Sequence, residues 1–179
     1  MLKGAMHEWF GSVLTEELIL RGYVFQCLLS LGGRRFGPML ALGLTSPMFG
    51  LDFYGGIRIT AWNWTLLGAG FGVAYLVTRR LWLPIAMHFA WCLIHEPILG
   101  FRDSNEFVRS LVSIEKVGPE FWTGGWYGLE RSPITLVVSL LNIAILLYLS
   151  HLGFWRPDPY LSDYLPRKTA EFTGDNLLS

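Results

Sequence analysis

Residues 9–31 form an apolar stretch long enough to cross a bilayer, yet it contains two carboxylates and a guanidinium. Charged groups at membrane depth cost at least about 2.5 kcal/mol each, so they seldom persist without a partner or a function. Glu17 and Arg21 are four residues apart, which places them on one helical face where they can neutralise each other. Glu16 lies about 100° around the helix, so Arg21 satisfies it less well. This layout leaves Glu16 available as a catalytic group; the alternative is a structural ion pair with Glu16 at a water-filled edge.

The composition indicates a polytopic membrane protein. The 179-residue chain is 52% hydrophobic and only 16% charged, whereas an ordinary soluble domain is about one quarter charged. Its 14 basic and 14 acidic residues cancel, so there is no electrostatic argument for a nucleic-acid partner, and we expect none. Cys27 and Cys92 both lie in apolar runs, which argues against a disulfide framework.

Apolar runs separated by turn signals predict an all-α transmembrane bundle with about five spanning or membrane-embedded helices. Gly32 and Gly33 end the first run, and Ser132 is expected to cap the last helix with Pro133 in its first turn. The predicted segments are residues 9–31, 37–53, 62–78, 81–99 and 133–151.

Two arginine pairs predict how the helices are oriented. Residues 34–35 and 79–80 are both Arg-Arg, and two predicted segments separate them, so both pairs lie on one side of the membrane. The positive-inside rule makes that side cytoplasmic, with the chain beginning outside.

The fourth segment carries a second group of reactive side chains. His88 and Cys92 are four residues apart and His95 follows seven after His88, so all three share one helical stripe. His and Cys are both good zinc ligands, and such a pair can chelate one ion. The alternative is a buried His88 that is hydrogen-bonded to a neighbouring helix, with Cys92 as packing. Because Glu16 lies in another apolar segment, we favour one intramembrane polar site.

Three blocks of the sequence together resemble the CPBP family of CAAX-processing and bacteriocin-processing (Abi) intramembrane proteases. Residues 16–21 read EExxxR, residues 46–51 read SPMFGL, and residues 83–91 read LPIAMHFAW. The family pattern is EExxxR on one helix, FxxxH on a second, and HxxxN or HxxxD on a third. The resemblance implies a protease domain over residues 9–152, possible further helices before it in a longer form, and a polar tail over residues 153–179.

The resemblance also implies a mechanism. Glu16 would be the general base that activates water, with Glu17 and Arg21 as its structural support. His88 would be a metal ligand or an oxyanion donor. A divalent metal, Zn2+ in our prediction, would be held by Glu16, His88 and Cys92, with His95 as a further candidate. The implied setting is a prokaryotic plasma membrane, with membrane lipid and a peptide or prenylated protein substrate as partners.

The chain departs from the family pattern at two positions. The second motif would place its histidine at position 53, which is Phe53, and the third would end at position 92, which is Cys92. Phenylalanine neither binds metal nor accepts a proton. Besides a metalloprotease, the sequence therefore allows a catalytically impaired relative that binds a hydrophobic peptide or a partner helix.

Overall fold

The protein is an all-α bundle. The computed structural model describes residues 2–52, 59–100, 110–112, 114 and 117–155, and these ranges contain helices and loops but no strand. The helices are α1 (Leu2–Glu17), α2 (Phe25–Asp52), α3 (Ile59–Thr78), α4 (Trp82–Leu93), α5 (Glu120–Thr123) and α6 (Pro133–His151). Two π-helical segments, Leu18–Val24 and Ile94–Ile98, continue α1 and α4, and a 3-10 segment, Gly125–Arg131, precedes α6.

The long helical stretch from α1 to α2 is folded back on itself at Gly33, which separates a first arm (residues 2–32) from a second arm (residues 34–52). This residue has φ 59° and ψ −160°, a conformation that is open essentially only to glycine. Around the corner the two arms touch through backbone, because a Cβ placed on Gly37 would lie 2.5 Å from the carbonyl oxygen of Leu29. The predicted break between the first two segments is thus confirmed.

α3 occupies the centre of the bundle and packs against α2, α4 and α6. Glycines let α2 approach it closely: a Cβ on Gly50 would lie 2.5 Å from the Ala61 carbonyl oxygen, and one on Gly68 would lie 3.0 Å from the Phe49 Cβ. Such small residues are typical of helix contacts inside membranes. The close approach brings residues of α2 and α3 within reach of the charged side chains of the first helical arm.

Three apolar clusters hold the helices together. One, near the Gly33 corner, joins residues on either side of that corner to α3; another joins Phe49, near the end of α2, to α3; the last joins α3 to α6. Their buried members are Phe25, Leu29, Ala41 and Tyr75; Phe49, Trp64, Leu67 and Phe71; and Val73, Ala74 and Leu146.

α6 has the properties of a membrane span. It is the one described helix that is both long and apolar enough to cross a bilayer, at 19 residues, while α4 is a shorter apolar helix of 12 residues. Only 17% of the apolar window of α6 is buried, and soluble proteins rarely expose an apolar surface of this extent. Its exposed side chains include Ile134, Val137, Leu141, Ile145 and Tyr148.

The ends of the helices agree with the sequence to different degrees. Ser132 caps α6 by accepting a hydrogen bond from the Ile134 backbone N–H at 3.1 Å, so the last predicted helix is confirmed at its first residue. The fourth segment is present, but it changes from α to π geometry at Ile94. Phe53 lies outside the described residues, as does the tail from residue 156, so the predicted domain limits stay predictions.

Candidate active site

A buried ion pair lies where α1 ends. Arg21 Nη1 donates to Glu17 Oε1 at 2.8 Å, and both side chains are completely buried. Arg21 Nη2 also donates to the carbonyl oxygen of Gly68 at 2.9 Å, which ties the first arm to α3. Arg21 lies in the π-helical segment, where the wider turn is a common feature of functional sites. The pair predicted from the four-residue spacing is therefore formed, and it has an additional backbone partner.

His88 reaches the same carboxylate from α4. Its Nδ1 lies 3.0 Å from Glu17 Oε1, and the ring is 2% exposed. The Glu17 carboxylate accepts from Arg21, and an ionised carboxylate only accepts hydrogen bonds. A neutral His88 ring that bonds to such a carboxylate has its hydrogen on Nδ1, which leaves the lone pair of Nε2 available on the opposite edge.

Glu16 lies on that opposite edge. Its Oε2 is 4.0 Å from His88 Nε2, and its side chain is 27% exposed, in contrast to the buried Glu17. Its other oxygen, Oε1, accepts a hydrogen bond from Ser12 Oγ at 3.0 Å. His88 consequently lies between two carboxylates, one fully buried and paired with arginine, the other partly accessible.

Two phenylalanines enclose the polar groups. Phe71 stacks on His88 with ring centroids 5.0 Å apart and planes 20° apart, and Phe49 meets the same imidazole at 5.2 Å and 71°. The guanidinium carbon of Arg21 lies 4.9 Å from the Phe49 centroid and 5.6 Å from that of Phe71, within cation–π range. The paired charges are therefore surrounded by apolar rings, where electrostatic interactions are strong.

The described side chains do not complete a three-ligand metal site. No three His, Cys, Asp or Glu residues in the described ranges are grouped closely enough to hold one ion. Cys92 is buried on α4, about 6 Å further along the helix axis than His88. Catalytic zinc usually has three ligands from protein, and Glu16 and His88 would supply two of them. The roles of Glu16, His88 and Cys92 as metal ligands stay predictions.

His95 belongs to a separate buried group. Its Nδ1 lies 3.7 Å from Glu130 Oε1, and Trp91 stacks on its ring at 5.7 Å. Asn63 donates to the backbone oxygens of Glu130 and Ser132 at 2.7 and 2.9 Å, which holds the segment before α6 against α3. The helical stripe that His95 shares with His88 predicts it as a further ligand in the metal site. The structure pairs it with Glu130 instead.

Two contacts of these buried groups have no signal in the sequence. Phe71 stacks on His88 and Glu130 pairs with His95, but neither lies in a motif or at a helical spacing from its partner. Phe53, where the family pattern has a histidine, is outside the described residues.

A family model described as type II CAAX prenyl endopeptidase Rce1-like matches residues 5–94, about half of the chain. The match contains Glu16, Glu17, Arg21 and His88, and it includes the helices that bring them together. No curated protein and no solved structure gives a significant match to the chain.

Proposed function

Because the chain belongs to the type II CAAX prenyl endopeptidase Rce1-like family, we propose that it is an intramembrane endopeptidase in which Glu16 activates the attacking water. The family is one of membrane-embedded proteases. For this chain we further propose about five spanning or membrane-embedded helices and a plasma-membrane location in a prokaryote. The proposed substrate is a prenylated or otherwise membrane-associated peptide.

The observation that carries the proposal is the position of His88 between two unlike carboxylates. Glu17 is buried and already bonded to Arg21, so it is unsuited to taking a proton from water. The Glu16 side chain is 27% exposed, but its Oε2, which lies 4.0 Å from His88 Nε2, is buried and has no hydrogen-bond partner among the described residues. A water molecule hydrogen-bonded to both of these atoms would face a carboxylate that can accept its proton.

The proposed reaction uses these groups and water. Glu16 takes a proton from the water while the water oxygen forms a bond to the peptide carbonyl carbon. The carbon–nitrogen bond of the resulting tetrahedral intermediate then breaks, and the proton passes from Glu16 to the departing amine. His88 holds the water by accepting a hydrogen bond at Nε2. The new carboxyl group keeps the O–H of the water, and the departing amine receives the other hydrogen.

Glu17 and Arg21 act on this reaction through His88. The 3.0 Å contact between Glu17 Oε1 and His88 Nδ1 selects the tautomer in which Nε2 has a lone pair. Arg21 compensates the charge of Glu17, which offsets the cost of burying the carboxylate. Both residues are therefore proposed as support for His88 rather than as reacting groups.

A non-catalytic function is the second candidate. The described residues hold no three-ligand metal group, and the rings of Phe49 and Phe71 enclose His88. A site of this kind could bind a hydrophobic peptide or a partner helix without cleaving it.

Peptidase activity on a prenylated CAAX peptide in detergent separates the two candidates. We expect cleavage by the unaltered chain, a loss of at least about 100-fold in Glu16→Gln because the general base is removed, and unchanged activity in Glu120→Gln. Glu120 is a matched control, since it is an exposed glutamate in the short helix α5. Binding of the peptide without cleavage, equal in the chain and in Glu16→Gln, would favour the non-catalytic function.

A further inference from the structure

The ring plane of His88 is set by a residue that lies in none of the sequence motifs. We propose that Phe71, in the middle of α3, is a positioning residue that holds the His88 imidazole with Nδ1 towards Glu17 and Nε2 towards Glu16. The inference rests on the proposed function, because it concerns the histidine beside the proposed base. Its first measurement nevertheless needs no enzyme activity.

A hydrogen bond alone leaves an imidazole free to tilt. Glu17 fixes one edge of the His88 ring through Nδ1 at 3.0 Å, but the final side-chain torsion of histidine has a broad, shallow preference. Tilting about the Glu17 contact would move Nε2, on the far edge, away from Glu16. A second restraint must therefore act on the face of the ring.

Phe71 provides that restraint. Its ring lies nearly parallel to the imidazole, with planes 20° apart and centroids 5.0 Å apart, and its side chain is 2% exposed. Phe49 contacts the imidazole at 71°, so it limits movement in another direction. The rings of Phe71 and Phe49 restrict the plane of the His88 imidazole, and the Glu17 carboxylate restricts its Nδ1 edge.

The same phenylalanine also contacts Arg21, the cation paired with Glu17. The guanidinium carbon lies 5.6 Å from the Phe71 centroid, so one ring is packed against both partners of the Glu17 carboxylate. Replacing the flat ring by an aliphatic side chain removes the stacking surface without adding or removing a charge. This makes Phe71→Leu a specific probe of ring orientation.

Phe25 offers a matched control. It is also a fully buried phenylalanine, and it makes an edge contact with Tyr75 at 5.6 Å in the cluster near the Gly33 corner. Phe25→Leu removes a comparable amount of buried ring from a different part of the bundle. A general loss of packing would therefore affect both variants alike.

The first readout is the 15N spectrum of histidine-labelled protein in lipid nanodiscs, with the His88 signals assigned by their absence in His88→Gln. We expect a single Nδ1–H tautomer in the unaltered chain, in Phe25→Leu and in the aromatic variant Phe71→Tyr. In Phe71→Leu we expect averaged tautomers, because an imidazole without its stacking partner also leaves the Glu17 contact part of the time. If this variant does not fold, Phe71→Met, which has a flexible side chain of similar size, replaces it.

The second readout is peptidase kinetics. We expect a roughly 10- to 100-fold lower kcat in Phe71→Leu with KM unchanged, because a small misplacement of the water-holding atom affects the reaction rather than binding. Phe71→Tyr should keep most of the activity. The inference is overturned if His88 in folded Phe71→Leu has the same spectrum as in Phe25→Leu. If the unaltered chain cleaves nothing, the proposed function fails. The 15N spectra alone then decide whether Phe71 positions the His88 ring.

Discussion

At the scale of single residues, the environment of two adjacent glutamates gives them different properties. Glu17 is buried and bonded to both Arg21 and His88, whereas Glu16 is 27% exposed and bonded to Ser12. The sequence pattern predicts this difference from the helical positions of the two residues relative to Arg21. It does not reveal that His88 lies between them, because this contact joins residues 71 positions apart in the chain.

The Glu17–Arg21 pair leads to a stability prediction. Arg21→Met leaves the Glu17 carboxylate buried without its cation, so we expect a loss of about 3–5 kcal/mol in the free energy of unfolding. The double variant Glu17→Gln/Arg21→Met should recover most of this loss because neither charge remains. Equilibrium unfolding in detergent measures both effects. Arg35→Met, at an exposed arginine, is the control and should change stability by less than about 0.5 kcal/mol; equal losses in the two arginine variants would contradict the prediction.

The predicted zinc role of Cys92 can be tested by metal content. If Cys92 completes a site with Glu16 and His88, purified protein should contain close to one zinc per chain, and Cys92→Ala should lose most of it. Elemental analysis measures the zinc content of the unaltered chain and of Cys92→Ala. Cys27→Ala is the control, and it should keep its zinc because that cysteine is exposed. Equal zinc in Cys92→Ala and the unaltered chain, or none in either, would remove Cys92 from the set of ligands.

At the scale of helices, the structure differs from the sequence prediction mainly in helix type. The start of α6 is predictable because a serine cap followed by proline is a strong local signal. The π-helical segments Leu18–Val24 and Ile94–Ile98 are not predictable, since an apolar run is compatible with both the α-helical and the π-helical period. Both contain a basic side chain that is buried, Arg21 in one and His95 in the other. Their geometry depends on partners in other helices, which a local pattern does not specify.

The corner between the first two helical arms depends on one glycine. Gly33→Ala places a Cβ on a residue with φ 59°, so we expect a loss of about 1–3 kcal/mol although nothing lies within 4 Å of the added atom. Gly43→Ala is the control: it is an exposed glycine within α2 with equally open surroundings, and it should gain up to about 1 kcal/mol. Thermal unfolding of both variants in detergent should give shifts of opposite sign. Shifts of the same sign would show that the corner does not require glycine.

At the scale of the whole molecule, the two arginine pairs share one end of the bundle. Leu29, Tyr75 and Leu81 share one packing region, so the arginines at residues 34–35 and 79–80 lie at the same end. The opposite end contains Glu130 and Arg131, in a segment that Asn63 holds near the start of α3. The fold class and the shared end of the arginine pairs were both predictable from composition and spacing, because they depend on runs of residues rather than on individual contacts.

The shared end of the two arginine pairs predicts the orientation in the membrane. A fluorescent protein fused after residue 155 should fold and fluoresce in bacterial cells, because the positive-inside rule places this end in the cytoplasm. Alkaline phosphatase, which is active only outside the cytoplasm, should be inactive at the same position and active when inserted after Gly118. The reverse pattern of activities would show that the chain begins inside the cell.

The π-helical segment beside the ion pair has a consequence for how relatives of this chain would differ in length. A π turn accommodates one residue more than an α turn, while the helix on either side keeps its orientation. A chain lacking Tyr23 or Val24 could therefore close this turn into a regular α-helix and still present Glu17 and Phe25 as they are here. Within α1 or α3, the same deletion would rotate everything on one side of it by about 100°. In an evolutionary comparison, a one-residue gap is thus better tolerated inside this helix than in most of the helical chain.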